Sequence, residues 1–97
     1  MKTIEEIKII IQAHKEELRK EYGLKEIGIF GSYVRGEQKE ISDVDILIEL
    51  EKPVGFVKFL KLEKRISDIL GIKVDLVTRK ALKPYIGQRI LHEVRYV

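Results

Sequence analysis

A Gly-Ser turn at residues 31–32 lies between two apolar segments with strand character. Residues 27–30 lead into the turn, and residues 43–50 follow after a polar loop. The second segment opens with Asp43 and Asp45, two positions apart. Because successive side chains of a strand alternate faces, the two carboxylates should emerge on the same side, about 7 Å apart along the backbone. The pattern predicts two strands joined through a turn, with two acidic groups beside it.

Helical spacing of apolar residues predicts helices on both sides of this unit. Thr3 and Glu6 have the spacing of a capping box and Gly23 supplies a stop, which predicts a helix over residues 4–22. A short helix is expected over residues 32–36. A second long helix should follow Pro53 and Gly55 and end at Gly71. Its predicted apolar face consists of Phe56, Phe59, Leu60, Leu62, Ile66, Ile69 and Leu70.

Residues 72–77 have the apolar pattern of a third strand, and residues 85–96 that of a final helix. The apolar side of this helix is predicted to carry Ile86, Ile90, Leu91 and Val94. Strands that alternate with helices indicate an α/β (α+β) sandwich, a small mixed sheet flanked by helices. A length of 97 residues without a linker-like stretch predicts one domain over residues 1–97, with no room for a separate substrate-recognition domain.

Composition narrows the classes of function. The absence of cysteine excludes disulfides and thiolate metal sites. No apolar stretch approaches the ~20 residues of a membrane helix and the first residues do not resemble a signal peptide, so a cytoplasmic protein is expected. The net charge of +3 suits a phosphate-rich ligand or nucleic acid. Basic residues are interleaved with acidic ones and no series of stacking aromatics is present, so charge alone does not indicate nucleic-acid binding.

The turn at residues 31–32 has the composition of a phosphate-binding element. Gly31 follows a strand directly, where the backbone must turn sharply and approach a phosphate closely, which a residue without Cβ does at the lowest cost. Ser32 would open the next helix, and its hydroxyl together with the first helical amides forms a ready phosphate site. The alternative is an ordinary strand-to-helix turn with Ser32 as the N-cap. The nearby aspartates favour the phosphate site.

Three carboxylates in apolar strands are the candidate metal ligands. Mg²⁺ prefers carboxylate, phosphate and water oxygens, and the ions of two-metal sites lie roughly 3.5–4 Å apart. Asp45 lies within an apolar strand, where a carboxylate is costly unless it is paired or bound to metal. Asp75 has the same setting in the third strand, and it would join Asp43 and Asp45 if the two strands are neighbours. The alternative for Asp43 is a surface turn together with Ser42.

The spacing of these residues resembles the signature of the nucleotidyltransferase superfamily related to DNA polymerase beta. The matching positions are Gly31-Ser32, then ten residues that include Arg35-Gly36, and then Asp43-Val44-Asp45. The short length is similar to that of the minimal nucleotidyltransferases, antitoxin-type proteins often paired with a HEPN-domain partner. The resemblance extends from about residue 4 to the last helix, with Asp75 as a looser match.

The resemblance implies a particular site and reaction. Two Mg²⁺ ions would be bound by three catalytic carboxylates, those of Asp43, Asp45 and Asp75. ATP, the nucleotide substrate, would be held by Gly31, Ser32 and Arg35. An acceptor hydroxyl would attack the α-phosphorus and release pyrophosphate, and Asp75 would help to deprotonate that hydroxyl.

Three functions stay open at this point. The first is transfer of AMP, or another NMP, to a hydroxyl such as a tyrosine of a HEPN-type RNase toxin, as the antitoxin resemblance implies. The second is a binding module that neutralises its toxin by complex formation, through the apolar faces of the first and last helices. The third is a nucleotidyltransferase that acts on RNA or on a small molecule. The sequence also leaves a homo-oligomer open.

Overall fold

A four-stranded mixed sheet forms the centre of the computed structural model, which describes residues 2–97. The sheet has the order β3-β2-β1-β4. β2 and β3 are parallel, whereas β1 is antiparallel to both of its neighbours. This architecture confirms the predicted α+β fold. The strands are β1 (Leu24–Phe30), β2 (Val44–Leu50), β3 (Val74–Thr78) and β4 (Arg95–Tyr96).

Four α-helices connect the strands, and their ends follow local sequence signals. The Thr3 hydroxyl accepts from the Glu6 amide while the Glu6 carboxylate accepts from the Thr3 amide, which is the predicted capping box. None of the helices formed by residues 2–97 combines the length and the apolar character that a membrane span requires. The helices are α1 (Ile4–Tyr22), α2 (Ser32–Arg35), α3 (Phe56–Leu70) and α4 (Pro84–Glu93), with a 3₁₀ turn at Arg79–Ala81.

The core lies between one face of the sheet and the helices α1 and α3. Alternate residues of β2 face this core, so Ile46 and Ile48 are buried beneath the helices while Asp45 and Leu47 lie on the other face. Burial of each such aliphatic side chain stabilises the fold by about 1.5–3 kcal/mol. The helices contribute Ile7, Ile11, Leu18, Leu62, Ile66 and Leu70 to the core.

The C-terminal segment differs from the prediction. The final helix ends at Glu93 instead of continuing to residue 96, because Val94 leaves the helical conformation with a ψ of 136° and the chain turns back to the sheet. Residues 95 and 96 form β4, which pairs with the free edge of β1 through Gly28 and Ile29. The prediction of a helix over residues 85–96 was wrong here because the edge of β1, which is distant in sequence, supplies the competing hydrogen bonds.

Several apolar residues that were assigned to helix faces are exposed. Phe56 is 75% exposed and Leu60 is also exposed, so the start of α3 was wrongly placed in the core. Ile86 and Leu91 of α4 are exposed as well. Phe56 and Leu60 stay outside the core because Leu62, Ile66 and Leu70, spaced four residues apart, already fill the side of α3 above the sheet.

The bounds of the strands also differ from the prediction by a few residues. β1 begins at Leu24, and β2 begins one residue after Asp43.

A substitution at Gly28 can test how closely β4 packs on β1. A Cβ at this position would lie 2.6 Å from Val94 Cγ2 and 3.2 Å from the Arg95 carbonyl oxygen. We therefore expect Gly28→Ala to lower the free energy of unfolding by about 1–3 kcal/mol, because the strand must move away. The Val97 amide, which donates to the Ile27 carbonyl at 2.9 Å, should also lose protection from hydrogen exchange.

Urea unfolding and hydrogen exchange measure the two effects of Gly28→Ala. Gly55→Ala is the matched control, since within residues 2–97 no atom beyond its chain neighbours lies within 4 Å of the added Cβ. That control should cost less than about 1 kcal/mol and leave the Val97 amide protected. Equal losses in both variants would contradict the close packing of β4.

Candidate active site

The structure brings the three predicted aspartates to one end of the β2–β3 pair. Asp45 and Asp75 are direct partners in the parallel register, so their backbones lie about 4.8 Å apart. Asp43 immediately precedes β2, and its carboxylate lies 4.0 Å from the Lys73 ammonium. The condition that the sequence left open for Asp75, a third strand next to the second, is met.

The pKa of Asp45 shows the electrostatic character of this end of the sheet. Burial raises the pKa of Asp45 to about 6 from 3.8, and the negative charges of Asp75 and Asp43 add to the rise. The Arg35 guanidinium acts in the opposite direction. Three carboxylates placed together without enough positive charge repel one another, so a cation bound among them would be stabilised.

The donor atoms fit a hard divalent cation. They are carboxylate oxygens only, which is the ligand type that Mg²⁺ prefers, and their mutual repulsion would be relieved by positive charge. As the side chains are placed, residues 2–97 contain no group of three His, Cys, Asp or Glu side chains that is close enough to hold a metal ion. The chemistry of the site therefore fits a metal ion, although the ligands are not gathered around one point.

Gly31 connects β1 to α2 and lies directly against Asp45. Its φ of 80° and ψ of −150° lie in a region that is essentially restricted to glycine. A Cβ on this residue would lie 2.1 Å from Asp45 Oδ2, so the turn passes directly against the carboxylate. Both constraints require the glycine that the sequence singled out.

Ser32 is the first residue of α2, and Gly31 rather than Ser32 is the N-cap. The alternative of an ordinary serine N-cap is therefore wrong. Ser32 is half-buried, and within residues 2–97 its hydroxyl has no hydrogen-bond partner. The hydroxyl is thus available to a ligand beside the aspartates.

Arg35 is occupied by carboxylates in this structure. Its Nη1 donates to Glu93 Oε1 at 2.5 Å, and its Nε donates to Glu37. The Gly31 amide donates to the other oxygen of the same residue, Glu93 Oε2, at 2.9 Å. Sequence reasoning missed Glu93 because 62 positions separate it from Gly31, and an acid near the end of a predicted helix carries no signal of such a contact.

Neighbouring elements hold the two ends of the site in place. Tyr33 of α2 is buried in the core, where burial and the Asp43 charge raise the pKa of its hydroxyl. On the outer edge of β3, the amides that flank Asp75 bond to α3. Val74 donates to Ser67 Oγ at 3.0 Å and Leu76 donates to Glu63 Oε2 at 2.9 Å, which satisfies an otherwise open strand edge.

An apolar groove of about 780 Å³ lies at the opposite ends of β2 and β3. Its lining includes Ile48, Phe56, Phe59 and Leu76, and none of the three aspartates belongs to it. Few of its lining residues carry ionisable groups that could take part in catalysis. The volume of the groove is therefore not a reason to assign the active site to it. The carboxylate end of the sheet is the candidate active site.

The raised pKa of Asp45 predicts that removing its charge increases the stability of the protein, by an amount that depends on pH. Since the native-state value of about 6 exceeds 3.8, the native state binds a proton more tightly than the unfolded state. The stability associated with protonated Asp45 is therefore complete below pH 4 and is lost as the pH rises through 6. Without divalent metal, Asp45→Asn should be more stable than the parent chain by about 1–2 kcal/mol at pH 7.5, discounted for partial exposure, and by almost nothing below pH 4.

Urea unfolding of the two proteins at pH 7.5, 5.5 and 3.8 in the presence of a chelator gives this difference. Asp68→Asn makes the same chemical change on the exposed side of α3 and should show no such gain. A gain from Asp45→Asn that is independent of pH would contradict the assigned electrostatics.

Alanine substitutions at Gly31 and Gly36 together test whether the turn packs against Asp45. Gly31→Ala should destabilise the protein by more than about 2 kcal/mol, because it combines a forbidden backbone conformation with a clash against Asp45. Gly36 also has a positive φ, of 71°, but within residues 2–97 no atom beyond its chain neighbours lies within 4 Å of an added Cβ. Gly36→Ala should therefore lower the free energy of unfolding by only about 1–2 kcal/mol. Thermal and urea unfolding measure both, and equal costs would show that Gly31 does not press on Asp45.

Comparisons with known proteins place this chain in a family. The family model of the nucleotidyltransferase domain matches residues 11–97. A relative from Thermococcus cleftensis, named protein adenylyltransferase MntA, is 53% identical over 97 residues, which cover 100% of this chain and 98% of the relative. A relative from Methanocaldococcus jannaschii with a provisional protein adenylyltransferase name is 48% identical over 98 residues, with both chains fully covered.

Solved structures share the fold. One that is provisionally identified as a minimal nucleotidyltransferase has a TM-score of 0.82 and 26% identity, covering 97% of this chain and 95% of that chain. A toxin-antitoxin structure with AMP-PNP has a TM-score of 0.72 and 23% identity, covering 88% and 70%. A tri-AMPylated Shewanella oneidensis HEPN toxin in complex with an MNT antitoxin gives 0.69 and 20%, covering 93% and 70%. Together with the family model and the full-length relatives, these likenesses establish that the chain belongs to the nucleotidyltransferase family and is a minimal nucleotidyltransferase.

Proposed function

We propose that this protein transfers AMP from ATP to a hydroxyl of a partner protein and thereby neutralises a HEPN-type RNase toxin. The observation that carries the proposal is the juxtaposition of Asp45 and Asp75 with the Gly31 turn and an unpartnered Ser32 hydroxyl. A single domain over residues 1–97 would perform the transfer. The names of the full-length relatives support the reaction class.

The nucleotide would lie across the turn and the neighbouring carboxylates. The Ser32 hydroxyl would donate to a phosphate oxygen, and Gly31 would let the triphosphate approach the backbone closely. Arg35 has one guanidinium nitrogen outside its bonds to Glu37 and Glu93, and its positive charge would offset part of the phosphate charge. A structural neighbour with AMP-PNP supports a nucleoside triphosphate as the ligand.

Asp43, Asp45 and Asp75 would hold Mg²⁺, with two ions expected from the family resemblance. When bound, the metal would neutralise developing charge on the phosphate oxygens. Asp45 would act in its charged form, since bound positive charge lowers the pKa of a carboxylate. The three side chains would therefore need to turn toward a common point when they bind the metal.

The transfer itself requires one bond to form and one to break. The acceptor hydroxyl oxygen would bond to the α-phosphorus while the bond from that phosphorus to the β-phosphate oxygen breaks, releasing pyrophosphate. Asp75, which is exposed, would accept the proton of the hydroxyl. Most of the rate enhancement would come from positioning and charge stabilisation.

A binding module that silences its partner by complex formation is the second candidate. The exposed apolar residues of α4 favour it, since Tyr85 is 89% exposed and Ile86 is 60% exposed. Exposed Ile9 of α1 adds to the apolar surface outside the core. Such side chains suit a partner surface whether or not transfer takes place.

Label transfer separates the two functions. The purified chain is incubated with α-labelled ATP, Mg²⁺ and the protein encoded by the neighbouring gene. We expect label on a tyrosine of that protein, abolished by a chelator and reduced about 100- to 1000-fold in Asp43→Asn/Asp45→Asn, because the carboxylates stabilise the transition state through their ligand.

Asp68→Asn is the matched control and should label the partner at the parent rate, since it lies on the exposed side of α3. A stable complex of the two proteins that forms without any label would refute the enzyme proposal and support the binding module. Label on added RNA instead of protein would refute the proposed acceptor.

A further inference from the structure

Glu93 contacts both ends of the short element around Ser32, and it is the acidic side chain that does so among residues 2–97. Its Oε2 accepts from the Gly31 amide at 2.9 Å and its Oε1 accepts from Arg35 Nη1 at 2.5 Å. The two donors precede and follow Ser32 in the chain. A single carboxylate from α4 therefore holds the element that carries the proposed phosphate ligand.

We infer that Glu93 is a positioning residue of the nucleotide site, which fixes the direction of Ser32 by binding Gly31 and Arg35 on one carboxylate. This inference rests on the proposed function, because it assigns a role toward the same triphosphate. Glu93 itself does not touch the nucleotide.

The length of α2 explains why such a contact is needed. A helix of four residues has too few internal hydrogen bonds to hold its own orientation. Buried Tyr33 anchors one side of α2 in the core. Glu93 anchors the other side, and the two contacts together determine where the Ser32 hydroxyl faces.

The hydrogen bond between Glu93 and Gly31 also affects the position of the turn relative to Asp45. Gly31 lies so close to Asp45 Oδ2 that no Cβ fits between them. When Glu93 holds the Gly31 amide from one side, the turn stays pressed against the Asp45 carboxylate on the other. The phosphate-binding and metal-binding halves of the site are thus held in one arrangement.

The charge of Glu93 is compatible with a triphosphate nearby. Burial disfavours its charged form, but the Gly31 amide and the Arg35 guanidinium outweigh burial and hold the pKa of Glu93 below its usual range. Glu93 is therefore ionised at neutral pH and paired with Arg35. Because Arg35 offsets the charge of Glu93, the contact holds the turn with less repulsion of the phosphates than an unpaired carboxylate would exert.

The position of Glu93 is in turn set by β1. β4 follows it after one residue and pairs with Gly28 and Ile29 of β1. Because β1 also leads directly into Gly31, the same strand places both partners of the hydrogen bond. The Val97 amide, which donates to the Ile27 carbonyl at 2.9 Å, extends this pairing to the last residue.

Two variants separate the reach of Glu93 from its charge. Glu93→Asp keeps the charge but is one methylene too short to contact both donors, and it should weaken the affinity for AMP-PNP with Mg²⁺ about 10-fold. Glu93→Gln keeps the reach and the bond from the Gly31 amide, but its amide nitrogen cannot accept from Arg35, so its affinity should fall less than that of Glu93→Asp. Isothermal titration calorimetry on the full chain gives each affinity at a temperature where all variants are folded by circular dichroism.

Glu37→Ala is the matched control, since Glu37 also pairs with Arg35 but does not contact Gly31. Its affinity should stay within about 2-fold of the parent. The ¹⁵N-correlated amide signal of Gly31 should move in Glu93→Asp and stay in place in Glu37→Ala. A merely structural Glu93 would lower the melting temperature of its variants without changing the affinity of the folded protein.

The outcomes distinguish this inference from the function on which it rests. If the parent chain does not bind AMP-PNP, the proposed function fails and the inference falls with it. If the parent binds and Glu93→Asp binds equally well, only the role of Glu93 is refuted. Tighter binding by Glu93→Gln would show that Glu93 competes with phosphate, which would also refute the positioning role.

Discussion

The antiparallel pairing of β1 with β2 is the contact on which the rest of the site depends. In this register Phe30 lies opposite Asp45, so the chain that leaves β1 must turn beside the carboxylate. Gly31 makes that turn in a conformation that other residues avoid, with no space for a Cβ. A register shift of one residue would move Asp45 to the core face and remove the site altogether.

The carboxylate end of the sheet carries a cost that the rest of the fold must offset. Burial and two like charges raise the pKa of Asp45, which means that the ionised site is destabilising on its own. The aliphatic core between the sheet and the helices α1 and α3 supplies the compensating free energy. Strain and repulsion at one end of a well-packed sheet are typical of sites that bind a charged ligand.

The C-terminal segment completes the site from a distance. β4 extends the sheet by a strand of two residues, and the residue that ends α4 just before it supplies the carboxylate that holds the Gly31 turn. Two parts of the chain far apart in sequence thus meet on β1. This arrangement explains how a small nucleotidyltransferase can order a turn and a four-residue helix that would not be stable in isolation.

Local backbone geometry and spacing in the sequence specify the capping box of α1, the glycines that end α1 and α3, the alternation that places Asp43 and Asp45 together, and the glycine at position 31. The spacing of the motif at residues 31–45 also indicated the nucleotidyltransferase family. Only the tertiary structure decided that Asp75 lies next to Asp45, that residues 95 and 96 form a strand, and that Glu93 binds Gly31 and Arg35. Those features are contacts between residues distant in the chain, and neither periodicity nor propensity encodes which distant partners will meet.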